Sequence, residues 1–532
     1  MADAVIIGAG PNGLVAANLL ADRGWEVVVL EEAPDPGGAV RSAELIEPGY
    51  RHDVFSAFFP FSLASPHIRR LELERWGLRW LTGPVSVAHP SPDGRCAVVA
   101  RDIDQTADSL DEFAPGDGDA WRSLYRQWER IRADALAAFF SPFPPLRPAL
   151  RLMRALEPAE LLRLVRFSLL PVRRMGHEHF SGDGGTRLLA GNALHADVSP
   201  EAPLSGVFGW VLCSLAQEVG FPAVAGGAGN LTAALVRRLE HHRGRVLCGR
   251  RAVAIECRSG TATAVLTDGE RHAARRALIA DVSPLQLYLE LLAGQPLPTR
   301  LRHDLDRFQY DNATVKVDWT LNGPIPWTAS AARDAGTVHV AESTDALIRL
   351  SAELSCRHIP AHPYLVMGQY AHIDPSRAPA GKETAWAYTH VPQHVAGDAG
   401  GDLTGRWDER EADRFADRVE AEVEAMAPGF RALIRARHVL TPPAFERRNR
   451  NLVNGALNGG TAQLHQQIVF RPVPSLARPE TPIDRLYLGS ASAHPGGGVH
   501  GGPGANAASA ALARSQALHP RVASRLSAAL QR

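Results

Sequence analysis

The first thirty residues consist of short apolar runs separated by glycine or polar breaks. Ala4–Ile7 is apolar and rich in β-branched residues, which is typical of a strand buried on both faces of a parallel sheet. The glycine-rich turn Gly8–Gly13 follows, and the Ala- and Leu-rich stretch Leu14–Arg23 then predicts a helix that Gly24 ends. A second apolar strand, Glu26–Leu30, completes a predicted βαβ unit.

The middle of the chain contains further short apolar runs that predict strands. Asn312–Leu321 alternates apolar and polar positions, so it predicts a half-buried strand with Lys316 facing solvent. Ala202–Gln217 is mostly apolar, and we interpret it as buried core. The helix and the strands predicted between these two segments are Leu231–Leu239, Arg245–Leu247, Ala252–Ile255, Thr263–Thr267 and Ala277–Asp281.

Near the carboxy terminus, a strand, a glycine loop and a helix follow one another. Leu486–Leu488 predicts the strand and Ala505–Leu518 predicts the helix, with Pro503 near its first position, where a missing N–H costs nothing. The loop between them matches the GxGxxG pattern at Gly496–Gly501. We do not interpret this match as a second dinucleotide unit, because the helix starts too late and no second strand follows.

The composition is that of a charge-neutral globular protein. The 532 residues include 57 Lys+Arg and 57 Asp+Glu, with 45% hydrophobic residues, so the chain is too apolar for disorder. A neutral chain gains little from counterion release, which argues against a nucleic-acid partner. Five scattered cysteines without a CxxC pair indicate neither disulfides nor a metal site, and they favour the cytoplasm. Neither a signal peptide nor a membrane span is predicted.

The glycine turn after the first strand has the spacing of a dinucleotide site. Gly8 allows the tight turn, Gly10 lets the backbone approach a pyrophosphate, and Gly13 lets helix and strand pack closely. Pro11 and Asn12 belong to the same predicted cofactor site, where the helix N-terminus offers free N–H groups to phosphate. This turn alone does not distinguish NAD from FAD.

The residues after the second strand extend the candidate site. Glu31 lies 23 residues after Gly8 and is placed to accept the two ribose hydroxyls of an adenosine. Gly37 and Gly38 form a turn that can bring backbone amides to the far side of a pyrophosphate, together with the guanidinium of Arg41. A surface salt bridge is the alternative interpretation of Arg41.

The carboxy-terminal glycine loop delivers a helix N-terminus, so it is a candidate site for a flavin edge or a diphosphate. Ser490, Gly498 and Val499 are the loop residues that we expect to bind the cofactor. His494 and His500 flank the triple glycine and are the candidates for proton handling. For His494, a purely structural role that braces the loop is the alternative.

Together these motifs resemble the FAD-dependent phytoene desaturase and carotenoid oxidoreductase family. The resemblance is to the branch with flavin-dependent β-carotene ketolases and pyridine nucleotide-disulfide oxidoreductase domain 2 proteins. This chain departs from the pattern in one place, with Ser490-Ala491-Ser492 where relatives often carry Gly-Ala-Gly. The segments that carry the resemblance are Val5–Leu14, Glu31–Gly38, Pro48–Tyr50, Gly226–Leu231 and Asp484–Asn506.

The resemblance implies an FAD cofactor and an α/β fold, in which a Rossmann-type FAD domain is interleaved with an α+β substrate domain. The FAD domain is expected to comprise residues 1–80, 221–300 and 441–532. The substrate domain is expected to comprise residues 81–220 and 301–440. The resemblance also implies that the backbone at Val253 contacts the adenine of FAD.

The segment 135–175 is unusual because Arg recurs among Leu and Phe after a proline-broken apolar stretch. A helical lid over an apolar cavity, or a bundle with solvated arginine faces, is the preferred interpretation. Contact with a membrane surface, at the inner face of the membrane, is the alternative.

The predicted function is oxidation or dehydrogenation of a small apolar, isoprenoid- or carotenoid-like substrate, with hydride transfer to flavin N5. One alternative is a flavin oxidase of a soluble amine or imine. Another is a non-catalytic FAD- or lipid-binding protein, because Rab GDP-dissociation inhibitors use a related fold to bind prenyl lipid. No metal-ligand spacing stands out, and we interpret His177 and His179 as a loop pair. His52 and Asp53 are expected to orient substrate or to serve structure.

Overall fold

The structure is a computed structural model that describes residues 1–474 and 477–516. Within these residues, twenty strands form two large sheets and three small ones. The strands are β1 Ala2–Ile7, β2 Val27–Leu30, β3 Ser42–Ala43, β4 His52–Asp53, β5 Trp80–Leu81, β6 Val85–Pro90, β7 Cys96–Ala100, β8 Ala223–Val224, β9 Arg245–Leu247, β10 Ala252–Arg258, β11 Thr261–Thr267, β12 Glu270–Ala280, β13 Ala313–Leu321, β14 Ala335–Val340, β15 His358–Ile359, β16 Leu365–Gln369, β17 Glu383–Val391, β18 Gly397–Asp398, β19 Ile434–Leu440 and β20 Leu486–Leu488.

Helices cover the faces of both large sheets. The α-helices of the described residues are α1 Pro11–Ala21, α2 Pro60–Ala64, α3 Pro66–Arg70, α4 Ile103–Asp111, α5 Asp117–Phe140, α6 Leu146–Ala155, α7 Pro158–Leu169, α8 Val172–His179, α9 Asp183–His195, α10 Ser205–Val219, α11 Gly229–His241, α12 Thr299–Leu305, α13 Thr344–Ser355, α14 Glu409–Met426, α15 Phe430–Leu433, α16 Pro442–Arg448 and α17 Gly502–Gln516.

The first large sheet is a Rossmann-type parallel sheet. Its parallel part has the order β20-β12-β1-β2-β9, and β10 and β11 extend it as antiparallel strands along the first half of β12. The apolar sides of α1, α11 and α17 pack on one face. β1 is buried along its whole length, which explains its unbroken apolar run. The predicted α/β class is confirmed.

The second large sheet has the order β19-β13-β17-β16-β14-β6-β7 and is antiparallel except between β14 and β6. Helices α9 and α10 pack on one face, and α14 packs on the other. Both faces of β13 are therefore covered, and all nine of its residues are buried. The prediction of a half-buried strand with an outward Lys316 is wrong, because Lys316 is only 2% exposed.

Several other sequence predictions can be compared directly with these elements. Ala202–Gln217 is confirmed as buried core, since it forms most of α10. The interpretation of His177 and His179 as a loop pair is wrong, because both lie in α8. The predicted helix Ala505–Leu518 is confirmed through Gln516, whereas Leu518 lies outside the described residues. The helix begins at Gly502, three residues earlier than predicted, so a late start is no reason against the GxGxxG match at Gly496–Gly501. Among the residues described, no helix is long and apolar enough to cross a lipid bilayer.

Candidate functional site

A cleft opens at the sheet edge where the carboxyl ends of β1, β2, β12 and β20 meet. Hydrogen bonds join the ends of neighbouring strands. Gly8 N donates to Leu30 O at 2.8 Å, and Asp281 N donates to Ile7 O at 2.8 Å. Gly489 N donates in turn to Ala280 O at 2.9 Å. This edge is where ligands bind in open α/β sheets.

The first glycine loop leaves no room for side chains. A Cβ atom on Gly13 would lie 2.1 Å from the carbonyl oxygen of Gly8, and one on Gly10 would lie 2.8 Å from a carboxyl oxygen of Asp281. Gly8 itself has φ +95°, which favours glycine. Pro11 is the first residue of α1 and Asn12 the second, and the N-cap residue Gly10 has no side chain that could cap this helix. The loop is therefore a backbone cradle at a helix N-terminus, which suits an anion.

Glu31 lies where β2 opens into the cleft. One of its carboxylate oxygens accepts from Ala9 N at 2.8 Å, and the other accepts from Ala33 N at 2.9 Å. Burial raises the pKa of Glu31, although these two hydrogen bonds oppose the effect. The side chain therefore stands at the second strand end, where sequence reasoning predicts the ribose ligand, and it lines the cleft.

The turn after β2 forms the opposite wall of the cradle. Gly37 N donates to Ala9 O at 2.9 Å, and a Cβ on Gly38 would lie 3.0 Å from the Cα of Gly10. Arg41 lines the cleft and donates through Nη2 to Arg448 O at 3.0 Å. Its Nε is buried without a hydrogen-bond partner among the described residues.

The carboxy-terminal loop returns the chain to the first glycine turn. A Cβ on Gly504 would lie 2.0 Å from the carbonyl oxygen of Asn12, so the start of α17 contacts the start of α1. Gly498 and Val499 both have positive φ, and Ser62 Oγ donates to Val499 O. Ser490 is buried at the end of β20.

The two loop histidines differ in their ring contacts. In His500, Nδ1 accepts from Gly502 N at 3.0 Å and Nε2 lies 3.0 Å from Gly497 O, so both nitrogens contact the loop backbone. In His494, Nε2 lies 3.0 Å from Ser141 O, whereas Nδ1 has no hydrogen-bond partner among the described residues. Burial lowers the pKa of His494 to about 4 and that of His500 to about 3. Both rings are neutral at pH 7, and only His494 has a ring nitrogen left over.

An aromatic wall, which we define as Phe61, Phe139 and Phe140, covers the carboxy-terminal loop. Phe61 stacks on Phe139 with ring centroids 5.5 Å apart, and Phe140 meets the His500 ring edge-on at 5.3 Å. Behind the loop lies Arg471, which is 1% exposed. It donates to backbone carbonyls only, including Ala491 O at 2.8 Å, and it forms no ion pair with a described residue.

A buried network of charged side chains around Asp53 joins the turn before α11, which packs on the first sheet, to residues of the second sheet and its neighbouring loops. Asp53 Oδ1 accepts from Ala228 N at 2.7 Å, and Asp53 Oδ2 accepts from Tyr370 OH at 2.9 Å and from Arg377 Nη1 at 2.5 Å. Lys316 Nζ donates to Asp53 O at 3.0 Å. Asp53 therefore anchors the turn before α11, which supports the structural alternative for this residue.

His52 belongs to the same buried region. Its Nδ1 lies 3.7 Å from Asp318 Oδ1, and its Nε2 has no hydrogen-bond partner among the described residues. Burial lowers the pKa of His52 to about 3, with the charge of Lys316 adding to the effect. The imidazole is therefore neutral at physiological pH.

Asp281 and Asn451 are among the residues of the cleft that sequence reasoning missed. Asp281 directly follows β12, and Asn451 Nδ2 donates to its carbonyl oxygen at 2.8 Å. The position of Asp281 was available from the rule that ligands contact the carboxyl ends of parallel strands, whereas Asn451 lies in an irregular segment without a pattern. At Val253, the side chain is 43% exposed, and its neighbour Ala252 lines the cleft. The adenine contact at Val253 stays a prediction.

The residues of the cleft fit FAD. A side chain on any glycine of the cradle would occupy the space that a diphosphate needs. The Nε of Arg41, which has no hydrogen-bond partner among the described residues, is a donor for a diphosphate oxygen. Gly10, Gly13 and Gly38 would hold the diphosphate by close backbone approach, and Glu31 would hold the ribose. The assignment of individual residues to FAD atoms stays a prediction.

The chain is similar to known proteins in sequence and in fold. A model of an NAD(P)-binding Rossmann-like domain matches residues 6–72. Pyridine nucleotide-disulfide oxidoreductase domain-containing protein 2 of Mus musculus is 28% identical over 95% of this chain and 92% of its own length. Over about a quarter of the chain, carotenoid 3,4-desaturase of Haloarcula japonica is 29% identical, and one of the subunits of limonene dehydrogenase from Castellaniella defragrans is 27% identical.

Solved structures share the fold at low sequence identity. An oxidoreductase from Methanosarcina mazei has a TM-score of 0.61 at 14% identity and covers 96% of this chain and 99% of its own. Putrescine oxidase bound to putrescine has a TM-score of 0.60 at 16% identity and covers 96% of this chain and 98% of its own.

The two-sheet fold, the glycine cradle and these relatives define the class of protein, which is an FAD-dependent oxidoreductase. The cofactor and the enzymatic nature predicted from the sequence are confirmed. Within this class, the homologues of the chain include pyridine nucleotide-disulfide oxidoreductase domain-containing protein 2 over nearly its whole length, and carotenoid desaturases and isomerases over about a quarter of it.

We expect FAD affinity to depend on pH because of Asp281. Its Oδ2 accepts from Gly13 N at 2.9 Å inside the cradle, and burial raises its pKa to about 7. Above this pH the carboxylate repels the diphosphate, so FAD affinity is expected to fall by up to about tenfold per pH unit. Fluorescence titration of apoprotein with FAD measures this slope, and Asp281→Asn is expected to flatten it.

The same pKa fixes the sign of the effect on stability. A folded-state pKa raised from 3.8 to about 7 means that the folded protein binds the extra proton. The penalty for ionising Asp281 is therefore absent below about pH 4 and complete above about pH 7, so its contribution to apoprotein stability falls over that range. If the free energy of unfolding changed with pH equally in the wild type and in Asp281→Asn, the raised pKa of Asp281 would be contradicted.

Proposed function

We propose that the protein oxidises or dehydrogenates an apolar, isoprenoid-like substrate. The observation that carries this proposal is the uncharged aromatic wall at the carboxy-terminal glycine loop. Its rings, together with the neutral His494 and His500, make this loop an apolar environment without a charged side chain in the wall. The partial relatives named as a carotenoid desaturase and a limonene dehydrogenase act on isoprenoids by name, which supports the same substrate class.

Arg471 argues against a cationic amine as the substrate. Its buried guanidinium lies behind the same loop, with Nε 3.3 Å from the position of a Cβ on Gly496. An ammonium group brought to this wall would face a like charge and would have no carboxylate to pair with in the wall. The likeness to putrescine oxidase therefore supports a common fold, and the site chemistry favours a different substrate class.

The chain's own residues have three tasks in such a reaction. The glycine cradle and Arg41 hold the cofactor, which accepts a hydride at N5 when bound. Phe61, Phe139 and Phe140 exclude water and orient the apolar substrate by contact. Dehydrogenation also releases one proton from the neighbouring carbon. His494 Nδ1 is the ring nitrogen that the loop leaves without a partner, although a pKa of about 4 makes this histidine a weak base.

Anaerobic flavin bleaching tests the substrate class. The purified protein is expected to be yellow, and its flavin absorbance is expected to bleach with carotenoid or terpene hydrocarbons in detergent. Putrescine and cyclohexylamine, both soluble amines, are expected to leave the spectrum unchanged because they lack a counter-charge in the wall.

Two controls make the result decisive. Free FAD mixed with each compound measures bleaching that does not need the protein, and detergent alone measures loss of flavin from the site. Bleaching by the amines and not by the hydrocarbons would overturn the proposed substrate class while leaving the FAD enzyme intact.

A further inference from the structure

Helices α6 and α7 present apolar side chains to solvent in regular stripes. On α6 the stripe is formed by Leu146, Leu150 and Met153, spaced i, i+4, i+7, and each is at least 43% exposed. Such spacing places the three side chains on one face of the helix. An amphipathic helix in a globular protein normally turns this face to the core, so its exposure calls for a partner.

Helix α7 repeats this arrangement with Leu162, Val165 and Leu169, spaced i, i+3, i+7 and each at least 50% exposed. The structure has eleven strongly exposed large apolar side chains among the described residues, and six of them lie within residues 146–169. We call these six residues the apolar face. Their concentration on two consecutive helices distinguishes them from the single exposed apolar residues that are normal on protein surfaces.

Arginines border the apolar face along both helices. Each of five apolar residues is followed directly by an arginine, and two of these arginines, Arg151 and Arg166, pair with Asp134 and Glu178. The other three, Arg147, Arg154 and Arg163, are exposed and form no ion pair with a described residue. The face therefore combines apolar contact with unneutralised positive charge.

This combination selects one kind of partner. A second copy of the chain meeting this face about a two-fold axis would oppose arginines with arginines, which is unfavourable. An anionic bilayer surface provides both requirements, because acyl chains accept the leucines and lipid phosphates accept the arginines. We propose that the apolar face and its three free arginines dock the protein on an anionic membrane surface.

The first helix of the docking face follows the aromatic wall closely along the chain. Phe139, Phe140 and Ser141 end α5 at the carboxy-terminal loop, where Ser141 O contacts His494, and α6 begins at Leu146. If the proposed function holds, an apolar substrate dissolved in the bilayer reaches the aromatic wall without crossing water. Docking itself does not depend on that substrate class.

Co-sedimentation of the FAD-loaded protein with vesicles tests the proposal. Binding is expected to phosphatidylglycerol–phosphatidylcholine vesicles and not to pure phosphatidylcholine, and high salt is expected to weaken it. The variant Arg147→Gln/Arg154→Gln/Arg163→Gln is expected to bind on the order of 100-fold more weakly, at about fivefold per arginine. The variant Leu150→Asp/Leu162→Asp is expected to abolish binding.

Matched substitutions elsewhere separate docking from general effects of charge and hydrophobicity. Arg23→Gln/Arg307→Gln/Arg410→Gln removes three exposed arginines from other surfaces, and Leu289→Asp changes an exposed leucine outside the face. Both are expected to bind vesicles like the wild type, and FAD content reports folding in every variant. Absence of binding to anionic vesicles, or concentration-dependent dimerisation that α6–α7 variants abolish, would overturn the proposal. Docking without bleaching by isoprenoids would instead contradict the proposed function alone.

Discussion

Gly13→Val is expected to yield a folded protein that purifies without flavin. A Cβ on Gly13 would lie 2.1 Å from the carbonyl oxygen of Gly8, about 1 Å closer than Cβ atoms approach other atoms in real structures. The start of α1 must therefore move away from the turn, and the backbone of the cradle leaves the position that a diphosphate needs. We expect FAD affinity to fall at least about 100-fold, which corresponds to about 2.8 kcal/mol.

Fluorescence titration with FAD and circular dichroism of the apoprotein measure the two parts of this prediction. Gly323→Val is the matched control, because a Cβ at Gly323 meets only Gly381 O, at 4.0 Å, and lies outside the cleft. The control is expected to retain flavin. A Gly13→Val protein that remains yellow would contradict the cradle as the diphosphate site, whereas an unfolded one would show a role in folding.

The Rossmann unit could be predicted because its signals are local. The strand β1, the turn from Gly8 to Gly13 and the acid Glu31 follow one another within thirty-one residues, and each obeys a rule of backbone geometry. The observed β1 and β2 differ from the predicted strands by one or two residues at their ends. The cofactor class needed the distant carboxy-terminal loop as well, which the family resemblance supplied.

The surroundings of Lys316 could not be predicted, because its partners are distant in sequence. The alternation of apolar and polar residues along β13 indicates that one face of the strand is exposed to solvent, but helices cover both faces of the sheet. The ammonium group is satisfied by the carbonyl of Asp53, 263 residues away, and by the carboxylate of Asp318. A buried lysine and an exposed one have the same local pattern.

Parts of the site lack any periodic signal. Arg471 and Asn451 belong to irregular segments, and only the tertiary fold brings them to the carboxy-terminal loop and to Asp281. The spacing of His177 and His179 misled for a related reason. Residues two apart on a helix face different directions, so the spacing of the two histidines does not indicate a helix. The contacts of α8 with the core come from Val172 and Met175 instead.

Arg377→Met is expected to destabilise the protein by about 3–5 kcal/mol, the cost of leaving a buried charge unpaired. The guanidinium of Arg377 is fully buried, bonds Asp53 Oδ2 at 2.5 Å and Asp374 Oδ2 at 3.0 Å, and donates to Val224 O at 2.8 Å. It also lies 3.9 Å from the centre of the Tyr370 ring. Methionine fills part of the volume but leaves two carboxylates without their counter-charge.

Urea unfolding, followed by tryptophan fluorescence and by release of flavin, measures the loss. Arg95→Met is the matched control, because the Arg95–Asp93 pair is about half exposed and water screens its attraction, so its removal is expected to change stability little. Adding Asp53→Asn to Arg377→Met is expected to recover part of the loss by removing one stranded charge. Since Asp53 also holds Ala228 N at the start of α11, flavin release and tryptophan exposure should shift together in Arg377→Met. Unchanged unfolding would mean that the network does not couple the two sheets, and that Asp53 alone fixes the turn.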